Sequence, residues 1–223
     1  MAIYIITTHK KISSLQLAKD LNVTQTTAWF LLHRIRNCFK LENNIVLDND
    51  VEIDETYVGG KNKNRHKNKK VKNSQGRSTK DKVAVIGMVE RTGKVNARIV
   101  ADVQADTLTR EIKKNVKDSA TIFTDEWLGY KDISKHYSHF IVNHNKKEFV
   151  NGEKYTNNIE CFWGILKRGI LGIYHFTSKK HLQIYLDEFV FRYNTRYKTE
   201  QSRFETLLCN MTVRTKYKEL VYA

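Results

Sequence analysis

Residues 51–60 read VEIDETYVGG, a strand-like run that ends at two consecutive glycines. Two more strand candidates follow along the chain, VAVIGMVE at 83–90 and VNARIVAD at 95–102. The residues between them, RTGK at 91–94, suit a hairpin turn. Three strands in succession therefore predict the centre of a β-sheet.

Helices and strands alternate after the third strand. A helix through about residue 117 opens at Asp106 or Thr107, and the runs ATIFTDEW at 120–127 and HFIVNHN at 139–145 predict two more strands. Amphipathic helices are predicted over residues 156–170, 179–196 and about 200–210. This order predicts an α/β fold with a mixed five-stranded sheet covered by helices, and it also suits the RNase H-like fold.

The segment 12–38 has the pattern of two short helices joined by a tight turn. Ser13 or Ser14 can cap the first helix, Asn22 suits the turn, and Thr24 can cap the second helix. This arrangement is typical of a helix-turn-helix, although a small helical prefix packed on the main domain would read the same way.

A helix-turn-helix at this position predicts particular contacts with DNA. Gln25, Thr26 and Thr27 would lie at the end of the second helix that reaches base edges. Arg34 and Arg36 would lie near backbone phosphates.

The composition favours a polyanionic partner. The chain has 223 residues, with 39 basic and 24 acidic side chains and a formal net charge of +15. Lys and Arg bind phosphates with release of condensed counterions, so this surplus predicts nucleic-acid binding. No run reaches the roughly 18 apolar residues of a membrane span, and no signal peptide is visible, so we expect a cytoplasmic protein without a membrane partner.

Residues 61–82 carry much of this charge, with ten basic residues and one acidic residue. The run lacks apolar periodicity, which predicts a mobile loop that either contacts DNA or is merely solvated. The basic side chains that we expect to contact DNA are Lys61, Lys63, Arg65, Lys67, Lys69 and Lys70.

The three cysteines, Cys38, Cys161 and Cys209, stand far apart in the chain. None forms a CxxC pair, so neither a zinc ribbon nor a disulfide framework is indicated. We expect reduced, half-buried apolar side chains in a cytosolic protein.

Three acidic side chains lie within or at the ends of predicted elements. Asp54 lies within the first strand, Asp125 at the end of the fourth, and Glu160 in the first turn of the helix that begins near Thr156. Mg²⁺ prefers carboxylate oxygens. Two such cations about 3.5–4 Å apart can activate an attacking oxygen and stabilise a leaving oxygen at a phosphodiester.

The residues alone leave alternatives open at each position. Glu52 shares a strand face with Asp54, whereas Glu55 points to the other face, so the pattern does not choose between Glu52 and Asp54. Asp125 would also suit a turn or a cap. Glu160 would also suit a helix N-terminus, where negative charge is mildly favoured.

The surroundings of Glu160 favour a ligand somewhat more than a surface acid. Glu160 falls on the flank of an apolar helical stripe, beside Gly164 and Lys167. The glycine leaves the backbone open to a ligand, and the lysine could contact a phosphate.

Four longer motifs carry a family resemblance: VEIDETYVGGK, IFTDEWLGY, VNHNKKEFVNGEKYTNNIECFWGILKRGI and KKHLQIYLDEFVFRYNTR. In this order they closely resemble the ISXO-like DDE transposases of bacterial insertion sequences, over about residues 50–197. The resemblance implies an RNase H-like catalytic domain in which Asp54, Asp125 and Glu160 form the DDE triad. Other residues that match family positions are His144, Asn158, Lys167, Arg192, Asn194 and Arg196.

The resemblance also implies a function. It implies a two-metal site for Mg²⁺ or Mn²⁺, and cleavage and strand transfer at the ends of a transposable element. The partners implied are double-stranded DNA, as element ends and as target, and a second copy of the chain in a homodimer or higher assembly. The implied location is the bacterial cytoplasm, at the nucleoid.

The expected domains are a helix-turn-helix (1–40), a linker (41–49), the catalytic domain (50–197) and a helical tail (198–223). Relatives usually carry a zinc ribbon before the helix-turn-helix, so we expect an N-terminally truncated copy with impaired end recognition.

Two other functions stay open. One is another RNase H-like nuclease of the resolvase type, and the other is a noncatalytic DNA-binding regulator.

Overall fold

A computed structural model describes residues 1–8, 12–60, 66–72, 78, 80–91, 93–142, 155–211 and 214–221. Its strands are β1 (Asp50–Val58), β2 (Val83–Glu90), β3 (Val95–Val100), β4 (Thr121–Thr124) and β5 (Ser138–Ile141). Its α-helices are α1 (Ala2–Thr8), α2 (Ser14–Leu21), α3 (Gln25–Asn37), α4 (Ala105–Asn115), α5 (Asn157–Gly169), α6 (Leu182–Asn194), α7 (Glu200–Cys209) and α8 (Tyr217–Val221).

The five strands form one mixed sheet in the order β3-β2-β1-β4-β5. The first three strands pair antiparallel, whereas β4 pairs parallel with β1 and β5 pairs parallel with β4. This arrangement confirms the predicted mixed five-stranded sheet. The parallel pairs require crossover connections, and α4 is the helix that connects β3 to β4.

Helices cover both faces of the sheet because each face is apolar. Ile53, Ile86 and Ile122 belong to a buried cluster that includes apolar side chains of α4. On the opposite face, Val85 and Val89 pack with apolar side chains of α5 and α6. Successive residues of β1 therefore face different helical layers, which decides the surroundings of each acidic side chain on that strand.

The helix-turn-helix geometry follows its local sequence signals. The Ser13 hydroxyl accepts a hydrogen bond from the Gln16 amide, and the Thr24 hydroxyl accepts one from the Thr27 amide. Between the two helices, Asn22 adopts a left-handed conformation with φ of 51°. Asparagine tolerates this conformation better than most residues, which explains its place in the turn.

The N-terminal helices share a core with the C-terminal part of the chain. Ile6, Leu17 and Leu32 pack with Phe191 of α6 and Leu207 of α7. The first helix, α1, was not predicted, because its apolar run is short. The helix-turn-helix is thus also packed on the rest of the protein, so both interpretations of segment 12–38 describe part of its structure.

The segment expected to be a linker is packed rather than free. A 3₁₀ helix spans Cys38–Asn43, and the buried Asn43 side chain donates hydrogen bonds to the Ala97 carbonyl and the Asp187 carboxylate. Leu47 is also buried, 1% exposed. The prediction missed this because its contacts come from β3 and α6, which are distant in sequence.

Two further expectations concern the cysteines and the membrane. Cys38 is buried, whereas Cys161 and Cys209 are exposed, so the expectation of three half-buried cysteines is wrong for each of them.

None of the helices in the described parts of the chain has the length and apolar character that a bilayer-crossing helix requires.

Candidate active site

The middle of β1 and the end of β4 bring Asp54 and Asp125 together. These strands pair parallel, with Asp50 opposite Thr121 and Glu52 opposite Phe123. Continuing this register by two residues places Asp54 beside Asp125, which directly follows β4. The Asp125 carboxylate accepts a hydrogen bond of 3.0 Å from the Trp127 amide, which turns the chain after the strand.

The Asp54 carboxyl is destabilised in its charged form. Burial, followed by the negative charges of Glu55 and Asp125, raises the pKa of Asp54 from 3.8 to about 7. Two hydrogen bonds oppose this shift: the Glu55 amide donates to Oδ1 at 2.8 Å, and the Trp163 indole donates to Oδ2 at 3.0 Å. A divalent cation would relieve the repulsion between Asp54 and Asp125.

Glu52 differs from Asp54 although both lie on the same face of β1. The Glu52 side chain is fully buried. It accepts hydrogen bonds from the Asn158 and Ile159 amides and from the Asn158 side chain, and it pairs with Arg91. These contacts give Glu52 a structural role and leave Asp54 as the available carboxylate, which the sequence could not decide.

Glu55 points to the other face of β1, as its place in the strand predicts. The Tyr130 hydroxyl donates a hydrogen bond of 2.9 Å to the Glu55 carboxylate. Burial and the Glu55 charge raise the pKa of Tyr130 well above its usual value, so Tyr130 stays a hydrogen-bond donor.

Glu160 lies in the first turn of α5, as predicted, and its side chain is exposed. Helix α5 contacts β1 on both sides of Glu160, through Asn158 and Trp163. Within the described ranges, however, no three His, Cys, Asp or Glu side chains lie close enough together to hold a metal ion. The structure therefore brings Asp54 and Asp125 together but does not add Glu160 to the pair.

The neighbours of Glu160 correspond in part to the prediction. Lys167 is exposed, as a phosphate-binding residue must be. Gly164 is half-buried, and a Cβ built there would lie 3.1 Å from Nη1 of Arg168. The open backbone at Gly164 is thus partly covered by a flexible arginine.

Most of the described residues predicted to contact DNA are on the surface. The exposed ones are Gln25, Thr26, Thr27, Arg34, Lys67, Lys70 and Lys167. The residues Lys61, Lys63 and Arg65, as well as the side chain of Lys69, lie outside the described part of the chain. Half of the loop predicted to be mobile, residues 61–65, 73–77 and 79, also lies outside it, and the described half includes a 3₁₀ helix at Lys67–Lys69.

The prediction for Arg36 is wrong. Arg36 is 1% exposed, and its Nε donates to the Glu188 carboxylate at 2.8 Å. The guanidinium also lies 4.9 Å from the ring centre of Tyr174 and 4.3 Å from that of Tyr185. Arg36 lies on the face of α3 that packs against α6, where Glu188 and Tyr185 cover it. It therefore cannot reach a phosphate.

The remaining family positions have structural contacts. The Asn194 side chain bonds the backbone of Val95 and Glu42, and Arg196 donates to the Gly93 carbonyl. Arg192 pairs with Glu188 and Asn158 with Glu52. His144 lies outside the described residues.

Sequence reasoning missed Arg91 and Trp163 as parts of the site. The Arg91 guanidinium lies 3.7 Å from the Phe123 ring centre and 4.0 Å from that of Tyr155, and it also contacts Glu52. Trp163 lies on the apolar stripe of the helix predicted over residues 156–170, and this pattern predicts no polar role for it. The polar indole of a buried tryptophan usually finds a partner, which was the available signal.

The site thus joins a mixed five-stranded sheet with two neighbouring carboxylates, Asp54 within β1 and Asp125 directly after β4, that form a candidate metal site. The chain belongs to the ISXO2-like transposase family, because the model of the ISXO2-like transposase domain matches residues 46–194. It is also 35% identical, over 103 residues, to an uncharacterized transposase-like protein of Haemophilus influenzae. That match covers 45% of this chain and 81% of the relative.

Solved structures give a more distant likeness. The match to the crystal structure of the Mos1 strand transfer complex covers 96% of this chain and 78% of the Mos1 chain, with 10% identity and a TM-score of 0.39. The match to the crystal structure of a pre-cleavage Mos1 transpososome covers 96% of this chain and 79% of that chain, with 12% identity and a TM-score of 0.29. Similarity at this level is too low to bear on function.

Proposed function

We propose that this protein catalyses metal-dependent cleavage of DNA and transfer of the cleaved strand to a target, as an insertion-sequence transposase. The observation that carries the proposal is the pair of neighbouring carboxylates Asp54 and Asp125. Burial, followed by the negative charges of Glu55 and Asp125, raises the pKa of Asp54. Membership of the ISXO2-like transposase family supports the choice of DNA as the substrate.

The donor chemistry of the pair fits a hard divalent cation. Asp54 and Asp125 would hold Mg²⁺ or Mn²⁺, and Glu160 is the third ligand implied by the family motif. When bound, the metal ions would activate the attacking oxygen and stabilise the leaving oxygen at the phosphodiester. The Trp163 and Glu55 hydrogen bonds orient the Asp54 carboxylate for this role.

The DNA-binding part of the proposal rests on charge and exposure. The formal net charge is +15, and Gln25, Thr26 and Thr27 are exposed at the start of α3. Arg34 and Lys167 supply exposed positive charge on α3 and α5. A homodimer or higher assembly on DNA follows only by analogy with proteins that join two DNA ends.

The decisive experiment combines DNA cleavage with DNA binding. Asp54→Asn and Asp125→Asn should each lower metal-dependent cleavage of an element-end duplex by at least about 100-fold while nonspecific DNA affinity stays unchanged. Glu126→Gln is the matched control, since Glu126 is an exposed acid beside Asp125, and it should retain cleavage. Cleavage that survives in either aspartate variant would contradict the assignment.

The same assay separates the rival functions. Pre-cleaved element ends and a target plasmid should give joined products with a transposase. A resolvase-type nuclease would cut without joining, and a noncatalytic regulator would bind DNA without nicking it at any metal concentration.

A further inference from the structure

We infer that Glu52 is a positioning residue: its buried carboxylate fixes the start of α5 against β1 and thereby sets where Glu160 lies relative to Asp54. The inference deepens the proposed function and rests on it for the role of Glu160. In this role, Glu52 is neither a metal ligand nor a general acid or base.

The hydrogen bonds of Glu52 use its whole acceptor capacity. Oε1 accepts from Nε of Arg91 at 3.2 Å and from the Asn158 side chain at 2.9 Å. Oε2 accepts from the Asn158 amide at 2.8 Å and from the Ile159 amide at 3.1 Å. A carboxylate offers about four lone-pair sites, so four donors leave none for a metal ion.

Glu52 acts as the cap that α5 does not supply for itself. Thr156 occupies the N-cap position of α5, but its side chain makes no capping hydrogen bond. The first amides of a helix have no acceptor within the helix, and the Asn158 and Ile159 amides bond Glu52 instead. A negative charge at this end of a helix is favourable. The cap is therefore provided by the sheet, which ties the helix to the strand.

A second contact, one helical turn further on, fixes the direction of α5. The Trp163 indole donates to Asp54 at 3.0 Å. Glu52 and Asp54 are two residues apart on a strand, about 6.8 Å, and Ile159 and Trp163 are four residues apart on a helix, about 6 Å. The two spacings agree, so both contacts form together.

The neighbouring strand leaves space for the tryptophan. Gly87 of β2 lies opposite Asp54 in the sheet register. A Cβ built at Gly87 would lie 2.5 Å from the Trp163 ring and 2.8 Å from Ile159. Glycine at this position therefore allows α5 to approach the strand closely enough for both contacts.

Glu160 lies between these two contacts in the chain, at the position after Ile159 and three before Trp163. Its distance from Asp54 therefore depends on how well the start of α5 is fixed. Loss of the Glu52 contact would release the first turn, in which Glu160 lies, while the Trp163 contact would hold the second turn.

Amide hydrogen exchange tests the capping contact without any assay of activity. In Glu52→Gln, the new side-chain amide would face the donors of Arg91 and Asn158, so the contact should weaken. We expect exchange of the Asn158 and Ile159 amides to become at least about 10-fold faster than in the wild type, while amides of α4 are unchanged. Asp50→Asn is the control, because Asp50 lies on the same face of β1, is 47% exposed and also pairs with Arg91, at 3.5 Å, whereas the Asn158 and Ile159 amides bond Glu52. Equal protection in Glu52→Gln and the wild type would overturn the inference.

A second pair of measurements separates positioning from mere stability. We expect Glu52→Gln to bind Mn²⁺ about 10-fold more weakly in a titration of the free protein. We also expect turnover in DNA cleavage to fall by about 100-fold with unchanged half-saturation by DNA. If Glu52→Gln does not fold, Asn158→Ala removes one side-chain donor and should give the same changes to a smaller extent. Unchanged Mn²⁺ affinity and turnover in a folded variant would refute the positioning role.

The outcomes distinguish this inference from the proposed function. If the wild type neither binds Mn²⁺ nor cleaves DNA, the proposed function fails, and the positioning role of Glu52 fails with it, whatever the exchange data show about the cap. If the wild type cleaves DNA and Glu52→Gln cleaves equally well, only the inference about Glu52 fails.

Discussion

Replacement of Asp54 by asparagine should become more favourable to the stability of the metal-free protein as the pH rises. The pKa of Asp54 is raised from 3.8 to about 7 in the folded protein. The folded state thus binds a proton more tightly than the unfolded state between these values, and stability falls as the pH rises through this window. The stability that the protonated Asp54 carboxyl contributes is fully present below about pH 4 and is lost above about pH 7.

The size of the effect follows from the shift. One pKa unit corresponds to about 1.4 kcal/mol, which gives about 4 kcal/mol as an upper bound for the ionised carboxylate. Asp54 is partly exposed, and solvent screening reduces this figure, so we expect about 2–4 kcal/mol. The asparagine side chain of the variant cannot ionise, so this pH-dependent loss of stability is absent. Its amide group would face one of the two donors, the Glu55 amide or the Trp163 indole, which adds a cost that does not depend on pH.

Urea unfolding of both proteins between pH 4 and pH 8.5, in the presence of a chelator, measures this difference. The free energy of unfolding of the variant minus that of the wild type should increase by about 2–4 kcal/mol across the range. The subtraction removes the titration of groups common to both proteins. A difference that stays constant with pH would refute the electrostatic reasoning. Added Mn²⁺ should stabilise the wild type at pH 8.5 and have little effect on the variant.

Further substitutions test other parts of the structure. Asp125→Asn should lower the pKa of Asp54, because it removes a neighbouring negative charge, and pH-dependent urea unfolding should show a smaller slope than in the wild type. Arg36→Ala should lower the free energy of unfolding by about 3–5 kcal/mol in the same assay, since it leaves the buried Glu188 with one fewer partner. Arg34→Ala should leave stability unchanged but reduce the slope of log affinity against log salt by about 1 in a DNA titration. Gly87→Ala should destabilise by about 1–3 kcal/mol through overcrowding, and an unchanged melting temperature would contradict the close approach of α5.

Local signals made much of the fold predictable. The second strand occupies Val83–Glu90, as predicted from its apolar run and the turn after it. The turn of the helix-turn-helix and its caps were also predictable, because Asn22 and Thr24 act on residues within five positions. Periodicity likewise placed Glu160 in the first turn of α5.

Contacts between distant segments were not predictable from one sequence. Arg36 was predicted to be a surface arginine on α3, but Glu188, 152 residues away, makes it part of the core. In the same way, nothing near Glu52 indicates that its donors come from Arg91 and from Asn158, 106 residues away. Local patterns report on neighbours along the chain, whereas the partners of buried charges are set by tertiary packing.

The shared core of the N-terminal helices has a consequence for dissection of this protein. Phe191 and Leu207 pack into the interior of the N-terminal helices from the C-terminal part of the chain, and the rings of Tyr4 and Phe204 meet edge to face. A peptide containing residues 1–40 alone would expose that interior to water and should be unstructured. Proteolysis or a stop codon after α5 would therefore expose the core of the N-terminal helices as well as remove the tail, and these helices cannot be transferred to another protein as a short segment.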